Sequence, residues 1–322
     1  MSESRQRSRR IGYLWSRMVL HNVLIQGAQG RPLLLDVYAP SDRTSGVVFF
    51  LHGFKGFKDW GPFHLVARAF QQAGLMLVKF NFSHNGTTPQ RPTEFADLDA
   101  FARNNPLLEL ADTEAVMNYI VQHYFRWTAQ EVEQVPFYVV GHSRGGALAL
   151  LFAGREARIT KVVTWAAVKG FGTLFTKEQI DRWKADGVRY EFNQRTGQQM
   201  PVYYQYWETL QQHRSELDVA AAVAAINKPV LVLHGSEDQS VPVAHAEAIG
   251  SYNHKWVQVK ILQGADHTFG GRHPWTSEHL PEALQAAVQD TLDFLQNQNA
   301  LSASEPTVLA SSRPEHTTQL NV

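Results

Sequence analysis

The segment Pro136-Phe-Tyr-Val-Val-Gly-His-Ser-Arg-Gly-Gly146 limits what this chain can fold into more than any other. A short apolar strand runs into Gly141-His142-Ser143-Arg144-Gly145, and the helix-forming stretch Ala147 to Ala153 follows directly. A Gly-x-Ser-x-Gly pattern between strand and helix is a tight turn that lifts a serine hydroxyl clear of a sheet. The serine must adopt a strained backbone conformation there. Glycines on either side let the flanking chain pass close by. The N-terminus of the following helix then points at the reacting oxygen, with its partial positive charge toward developing negative charge.

The rest of the chain supplies a sheet for that turn. Met18 to Ile25 and Pro32 to Tyr38 are strand-like runs around Gly27-Ala-Gln-Gly30, a hairpin signal. Gly46 to Leu51 is a continuous apolar run, as expected of a central strand covered on both faces. Phe63 to Gln72 has helical spacing and is followed by Gly74, which suits a helix end. Leu75 to Phe82, Ile159 to Ala166, Lys228 to His234 and Trp256 to Leu262 read as further strands. Leu107 to Phe125 and Leu280 to Leu295 read as amphipathic helices. Antiparallel strands followed by β-α-β alternation predict an α/β class, with a mostly parallel twisted sheet and helices on both faces. No internal repeat is present.

One stretch breaks the alternation. From roughly Val168 to Ala225 no buried type of strand is visible, and aromatics are dense: Trp183, Tyr203, Tyr204, Tyr206 and Trp207 among them. The stretch is longer than a plain crossover needs. It is expected to be a mostly helical cap over the carboxyl ends of the strands. Those five aromatics are the candidates for a substrate pocket, although packing of the cap accounts for some of them.

Composition excludes several classes. The 322 residues carry Lys+Arg 30 against Asp+Glu 30, so no global field draws the chain to nucleic acid or to an anionic membrane. Cysteine is absent, which removes disulfides, thiolate nucleophiles and Cys-ligated metals and fits a reducing cytoplasm. No run of about 18 apolar residues exists to span a bilayer. Residues 1–16 read as a flexible basic tail without the apolar core of a secretory signal. Residues 299–322 read as a disordered polar tail, leaving 17–298 as the folded domain.

A serine nucleophile needs a base, and the base needs an orienting carboxylate. Asp238 lies in Gly235-Ser-Glu-Asp-Gln-Ser-Val-Pro242, after one buried strand. His267 lies in Gly264-Ala-Asp-His-Thr-Phe269, after the next. Functional residues in open α/β sheets collect at these strand ends. Glu237 is the second choice for the acid, and Asp266 adjoins His267 but should diverge from it. His142 should point away from the serine across the turn. His52 and His234 precede glycines at strand ends and read as loop packing, and His84, His254 and His273 lack context. The backbone N–H of Phe54, in Leu51-His-Gly-Phe-Lys-Gly56, would pair with that of Arg144 to hold an oxyanion. The Arg144 side chain itself reads as solvated or salt-bridged. No His-x-x-x-His or His-Glu-x-x-His pattern occurs, so no metal is expected.

His52-Gly-Phe-Lys-Gly, Gly141-His-Ser-Arg-Gly-Gly, His234-Gly-Ser-Glu-Asp-Gln-Ser-Val-Pro and Gly264-Ala-Asp-His-Thr-Phe together resemble the α/β-hydrolase superfamily. Within it the chain is similar to dienelactone-hydrolase and prolyl-oligopeptidase-like serine hydrolases, above all to bacterial feruloyl (cinnamoyl) esterases. The resemblance covers roughly residues 17–298. It implies the α/β-hydrolase fold with Ser143 as nucleophile, Asp238 as acid, His267 as base and Phe54 and Arg144 as oxyanion donors. The expected activity is cofactor-free hydrolysis of small esters with aromatic or medium apolar acyl groups. A peptidase or amidase using the same residues is the alternative, followed by a binding protein without activity. Arg144 departs from the Gln or Met frequent after this serine, and the cap is unusually rich in Trp and Tyr. Both features leave the substrate open.

Overall fold

The continuous apolar runs form the middle of an eight-stranded sheet. In a computed structural model of the chain, the structure describes residues 19–41, 43–124 and 135–297. The two tails and the end of the helix expected to reach Phe125 lie outside the described residues. In chain order the sheet strands are β1 (Val19–Gln26), β2 (Pro32–Tyr38), β3 (Val47–Leu51), β4 (Met76–Phe80), β5 (Phe137–His142), β6 (Ile159–Trp165), and, after a further hairpin of β7 (Val188–Asn193) and β8 (Gln198–Tyr203), β9 (Val230–Gly235) and β10 (Val257–Leu262). The order across the sheet is β1-β2-β4-β3-β5-β6-β9-β10. β1, β2 and β4 pair antiparallel, and every pair from β4 onward is parallel.

Alternation along each strand divides the core in two. In β3, Val47, Phe49 and Leu51 face one layer while Val48 and Phe50 face the other. One layer is closed by α1 (Phe63–Gln72) and by a helix late in the chain, Glu282–Gln296. α1 buries Phe63, Val66, Ala67 and Phe70, a helical stripe that contacts the sheet. The opposite layer is closed by α3 (Pro106–Tyr124), which follows the short α2 (Leu98–Arg103), and by α4 (Arg144–Arg155). A fully buried phenylalanine such as Phe49 or Phe70 contributes roughly 1.5–3 kcal/mol relative to exposure.

A buried ionic group fixes the loop after β3. Asp36 and Lys79 are cross-strand partners on β2 and β4. Lys58 Nζ lies 2.8 Å from Asp36 Oδ1 and 2.6 Å from Asp59 Oδ2, and Lys79 also pairs with Asp59. The Lys58 amide donates to Asn81 Oδ1 at 2.6 Å. Two lysines and two aspartates balance in charge, and together they tie residues 52–59 to the sheet edge of the site.

The cap runs between β6 and β9 and has more helix than strand, as expected, but it also carries a hairpin that the sequence did not reveal. It contains α5 (Lys177–Asp186), the β7–β8 hairpin, α6 (Gln205–Gln212) and α7 (Val219–Ala225). Val188-Arg-Tyr-Glu-Phe-Asn193 alternates outward aromatics with inward groups, so it is a half-exposed strand, and Gly197 at φ 70° closes the turn. α8 (Ala244–Tyr252), between β9 and β10, and α2 are two helices that the spacing did not reveal. α9 is the closing helix Glu282–Gln296 named above. No helix among the described residues is long and apolar enough to cross a membrane.

Candidate active site

Ser143 is a non-glycine residue at φ 56°, ψ −120°, between the last residue of β5 and the first of α4. Such a conformation costs on the order of 1–3 kcal/mol and persists where its surroundings enforce it. Here the Ser143 amide donates to Trp165 O at 2.8 Å, and the Ser143 carbonyl accepts from Gly146 at 3.0 Å. A Cβ at Gly141 would run into the Gly145 carbonyl, and one at Gly145 into the carbonyls of Leu51 and His52. The turn can therefore be made only with glycine at both places.

The strand ends bring the other candidates to the serine. His267 Nε2 lies 3.0 Å from Ser143 Oγ, and His267 Nδ1 lies 2.7 Å from Asp238 Oδ2. Asp238 Oδ1 accepts the amides of Ser240 at 2.9 Å and Val241 at 2.8 Å. Burial by itself would raise the Asp238 carboxyl, but hydrogen bonds from His234, His267 and Val241, with the His267 charge, hold it well below the usual carboxylate range. The acid therefore stays ionised. Glu237 is exposed and Asp266 Oδ1 accepts the amides of Thr268 and Gly270 in its own loop, so neither faces the imidazole. Residues 48–289 match the model of the Alpha/beta hydrolase family.

The chain belongs to the α/β-hydrolase family.

A monoacylglycerol lipase of Mycolicibacterium smegmatis is 23% identical over 272 residues, covering 75% of this chain and 88% of the lipase. Est1E of Butyrivibrio proteoclasticus, solved with ferulic acid bound, superposes with a TM-score of 0.61 at 18% identity, over 85% of this chain and 97% of its own. A hydrolase of Agrobacterium vitis S4 gives 0.63 at 16% identity, over 85% and 97%. The superfamily resemblance and the sheet architecture read from the sequence both hold.

Two histidines of this hydrolase do more than the sequence suggested. His234, fully buried, places Nε2 3.2 Å from Asp238 Oδ2 and 2.8 Å from the Val241 carbonyl. His142 Nε2 lies 2.8 Å from the His267 carbonyl oxygen, and burial followed by the His267 charge lowers its pKa to about 3. It is therefore a neutral donor that anchors the backbone of His267 rather than a bystander across the turn. The clue in the sequence is that His52, His142 and His234 all lie at or next to the carboxyl ends of parallel strands, where the sheet collects its functional groups.

His234 Nε2 donates to the Val241 carbonyl while lying against Asp238 Oδ2, so it ties the loop that carries the carboxylate to the end of β9.

The amides of Phe54 and Arg144 flank the serine. A Cβ at Gly53 would lie 2.9 Å from Ser143 Cβ, so the loop passes directly beside the serine. Neither the Phe54 nor the Arg144 amide has an acceptor among the described residues. Their side chains are also joined: the Arg144 guanidinium sits 4.8 Å from the centre of the Phe54 ring. Arg144 pairs with Glu109, which is fully buried and also accepts from Asn104 Nδ2 at 2.7 Å.

Two open spaces meet at Ser143. A cavity of about 430 Å³ under the cap is lined by Phe171, Phe175, Val202, Trp183 and Tyr206, and its rim by Leu174. A groove of about 650 Å³ runs the other way past Trp60, Phe63, Thr268 and His273. Of the five aromatics singled out, Trp183 and Tyr206 line the cavity. Tyr203, Tyr204 and Trp207 do not, which corrects those assignments. Tyr203 points outward and donates to Asp99 Oδ1 at 3.0 Å, Tyr204 packs edge-on to Trp183, and Trp207 packs against Phe175 and Gly172. Density of aromatics does not say which face each occupies. Phe171, Phe175 and Val202, which the sequence did not single out, provide much of the wall.

Proposed function

We propose that this hydrolase cleaves carboxylic esters through a Ser143 acyl-enzyme. The observation that carries the reading is the unbroken chain Ser143 Oγ–His267 Nε2–His267 Nδ1–Asp238 Oδ2 beneath two unengaged backbone amides. Ser143 Oγ attacks the ester carbonyl carbon as His267 Nε2 takes its proton. The Phe54 and Arg144 amides receive the oxyanion, and the α4 N-terminus adds its dipole. The carbon–oxygen bond then breaks and His267 returns the proton to the leaving alkoxide. Water, deprotonated by His267, attacks the acyl group and frees the serine. Asp238 holds the imidazole tautomer throughout.

The cap cavity suits the acyl group. Its size lies within the range of about 300–1,000 Å³ typical of small-molecule pockets, and rings dominate its wall. A ring buried there gains roughly 1.5–3 kcal/mol, enough for about ten- to a hundredfold in specificity. The bound ferulic acid of Est1E is in keeping with an aromatic acyl group. Leu174 is 48% exposed on the rim, so Leu174→Trp can fill the space without disturbing the core. With esters of one alcohol, wild type should prefer aromatic acyl groups over acetyl in kcat/KM. The tryptophan variant should lose most of that preference at an unchanged melting temperature. An enzyme that favours acetyl, or a preference that Trp leaves intact, removes the cavity from specificity.

A further inference from the structure

The two spaces at Ser143 differ in how their charges are balanced. On the cap side each guanidinium has its own carboxylate: Arg144 with Glu109, and Arg189 with Glu191. On the groove side stand Arg195 and Arg272, with Lys55 shared between the two spaces, and among the described residues none of the three makes an ion pair. Glu191, the carboxylate on the groove wall, is already held by Arg189. Asp59 behind the wall is neutralised by Lys58 and Lys79. Asp266 is turned into its own loop. In a chain with formal net charge +0, this local excess belongs to the site and not to the protein as a whole.

The cations are also held in place. The Arg195 guanidinium, carried on the tip of the cap hairpin, lies 5.4 Å from the Phe57 ring centre and 5.7 Å from that of Phe95. Burial lowers its pKa, and it remains a cation. Arg272 lies over Trp275 at 6.0 Å, and Lys55 Nζ donates to the Phe192 carbonyl at 3.3 Å. His273 Nδ1 accepts from the Gly61 amide at 2.9 Å, which leaves the proton on Nε2 as a neutral donor.

Geometry decides which part of an ester meets these groups. The leaving oxygen must take its proton from His267 Nε2. The loop that carries His267 continues as the groove wall through Thr268, Gly271, Arg272 and His273. The alcohol therefore departs along the groove, while the acyl group remains under the cap.

We propose that the groove selects leaving alcohols that carry an anionic group, a carboxylate or a phosphate monoester. This rests on the ester-hydrolase reading above. Each unneutralised cation about 6 Å from such an anion contributes on the order of a threefold preference in a largely aqueous groove. The effect of all of them should reach roughly tenfold and weaken with salt.

The test uses three esters of one aromatic acid. Their alcohols are hydroxypropanoate, its neutral amide, and hydroxyethyl phosphate. Wild type should show kcat/KM about tenfold higher for one or both anionic esters than for the amide, with the gap closing at high salt. Whichever anion is favoured identifies the chemistry. In the double variant Arg195→Gln, Arg272→Gln the anionic-to-neutral ratio should fall toward one. Arg182→Gln, on the outer face of α5, should keep the ratio. Both substituted arginines are exposed, and a melting curve checks that the double variant folds. Turnover of the amide with no preference for either anion overturns the proposal and leaves the esterase reading standing. So does a preference that survives the double variant. No turnover of any ester, together with failure of a fluorophosphonate to label Ser143, overturns both.

Discussion

Ser143→Ala should leave a folded protein with ester hydrolysis reduced on the order of 10³-fold or more. The hydroxyl is the group placed 3.0 Å from His267 Nε2, and no other hydroxyl occupies that position. Alanine has to adopt the same positive φ, so it neither relieves nor adds to the strain of the turn. The amide and carbonyl of residue 143 keep their bonds to Trp165 and Gly146, and the elbow should survive. Steady-state rates and a melting curve on the same preparation test this. A folded variant that keeps more than a tenth of the activity would mean a different nucleophile.

Asp238→Asn should cost up to about 10⁴ in turnover. The substitution is nearly isosteric, and the amide oxygen can still accept from Ser240 and Val241. The NH₂ group then faces His267 Nδ1 and forces the proton onto Nε2, where it blocks acceptance from Ser143. Glu237→Gln and Asp266→Asn touch carboxylates that do not reach His267, and each should stay within a few-fold of wild type. A loss at Asp266 larger than at Asp238 would reassign the acid.

The sheet was legible because its central strands are buried on both faces. Val47 to Leu51 and Val230 to Leu233 are unbroken apolar runs. The meeting of Ser143, Asp238 and His267 could be anticipated from strand ends and chain order. The contact of His234 with Asp238 was not legible, because a histidine beside a glycine carries no periodic signal and its partner depends on how the turn after β9 folds back. The β7–β8 hairpin was hidden by its own exposure. Tyr190 and Phe192 are 59% and 52% exposed, so composition suggested a pocket where the fold puts an outer surface. Asp36 and Lys79 were similarly opaque, since each makes sense in a buried strand only once its cross-strand partner is known.

The cap leaves the sheet after β6 and returns at β9, and these strands are hydrogen-bonded neighbours, with Val162 opposite Val230. Its two attachment points are thus side by side on the scaffold. α7 already serves as the crossover helix that parallel neighbours require. Everything between Val168 and Leu217 is therefore a cassette, whose length and shape can change without altering a strand pairing of the eight-stranded sheet. In a scaffold of this kind the strand ends and the lid above them are structurally independent: the lid can be exchanged while the residues on the strand ends keep their places.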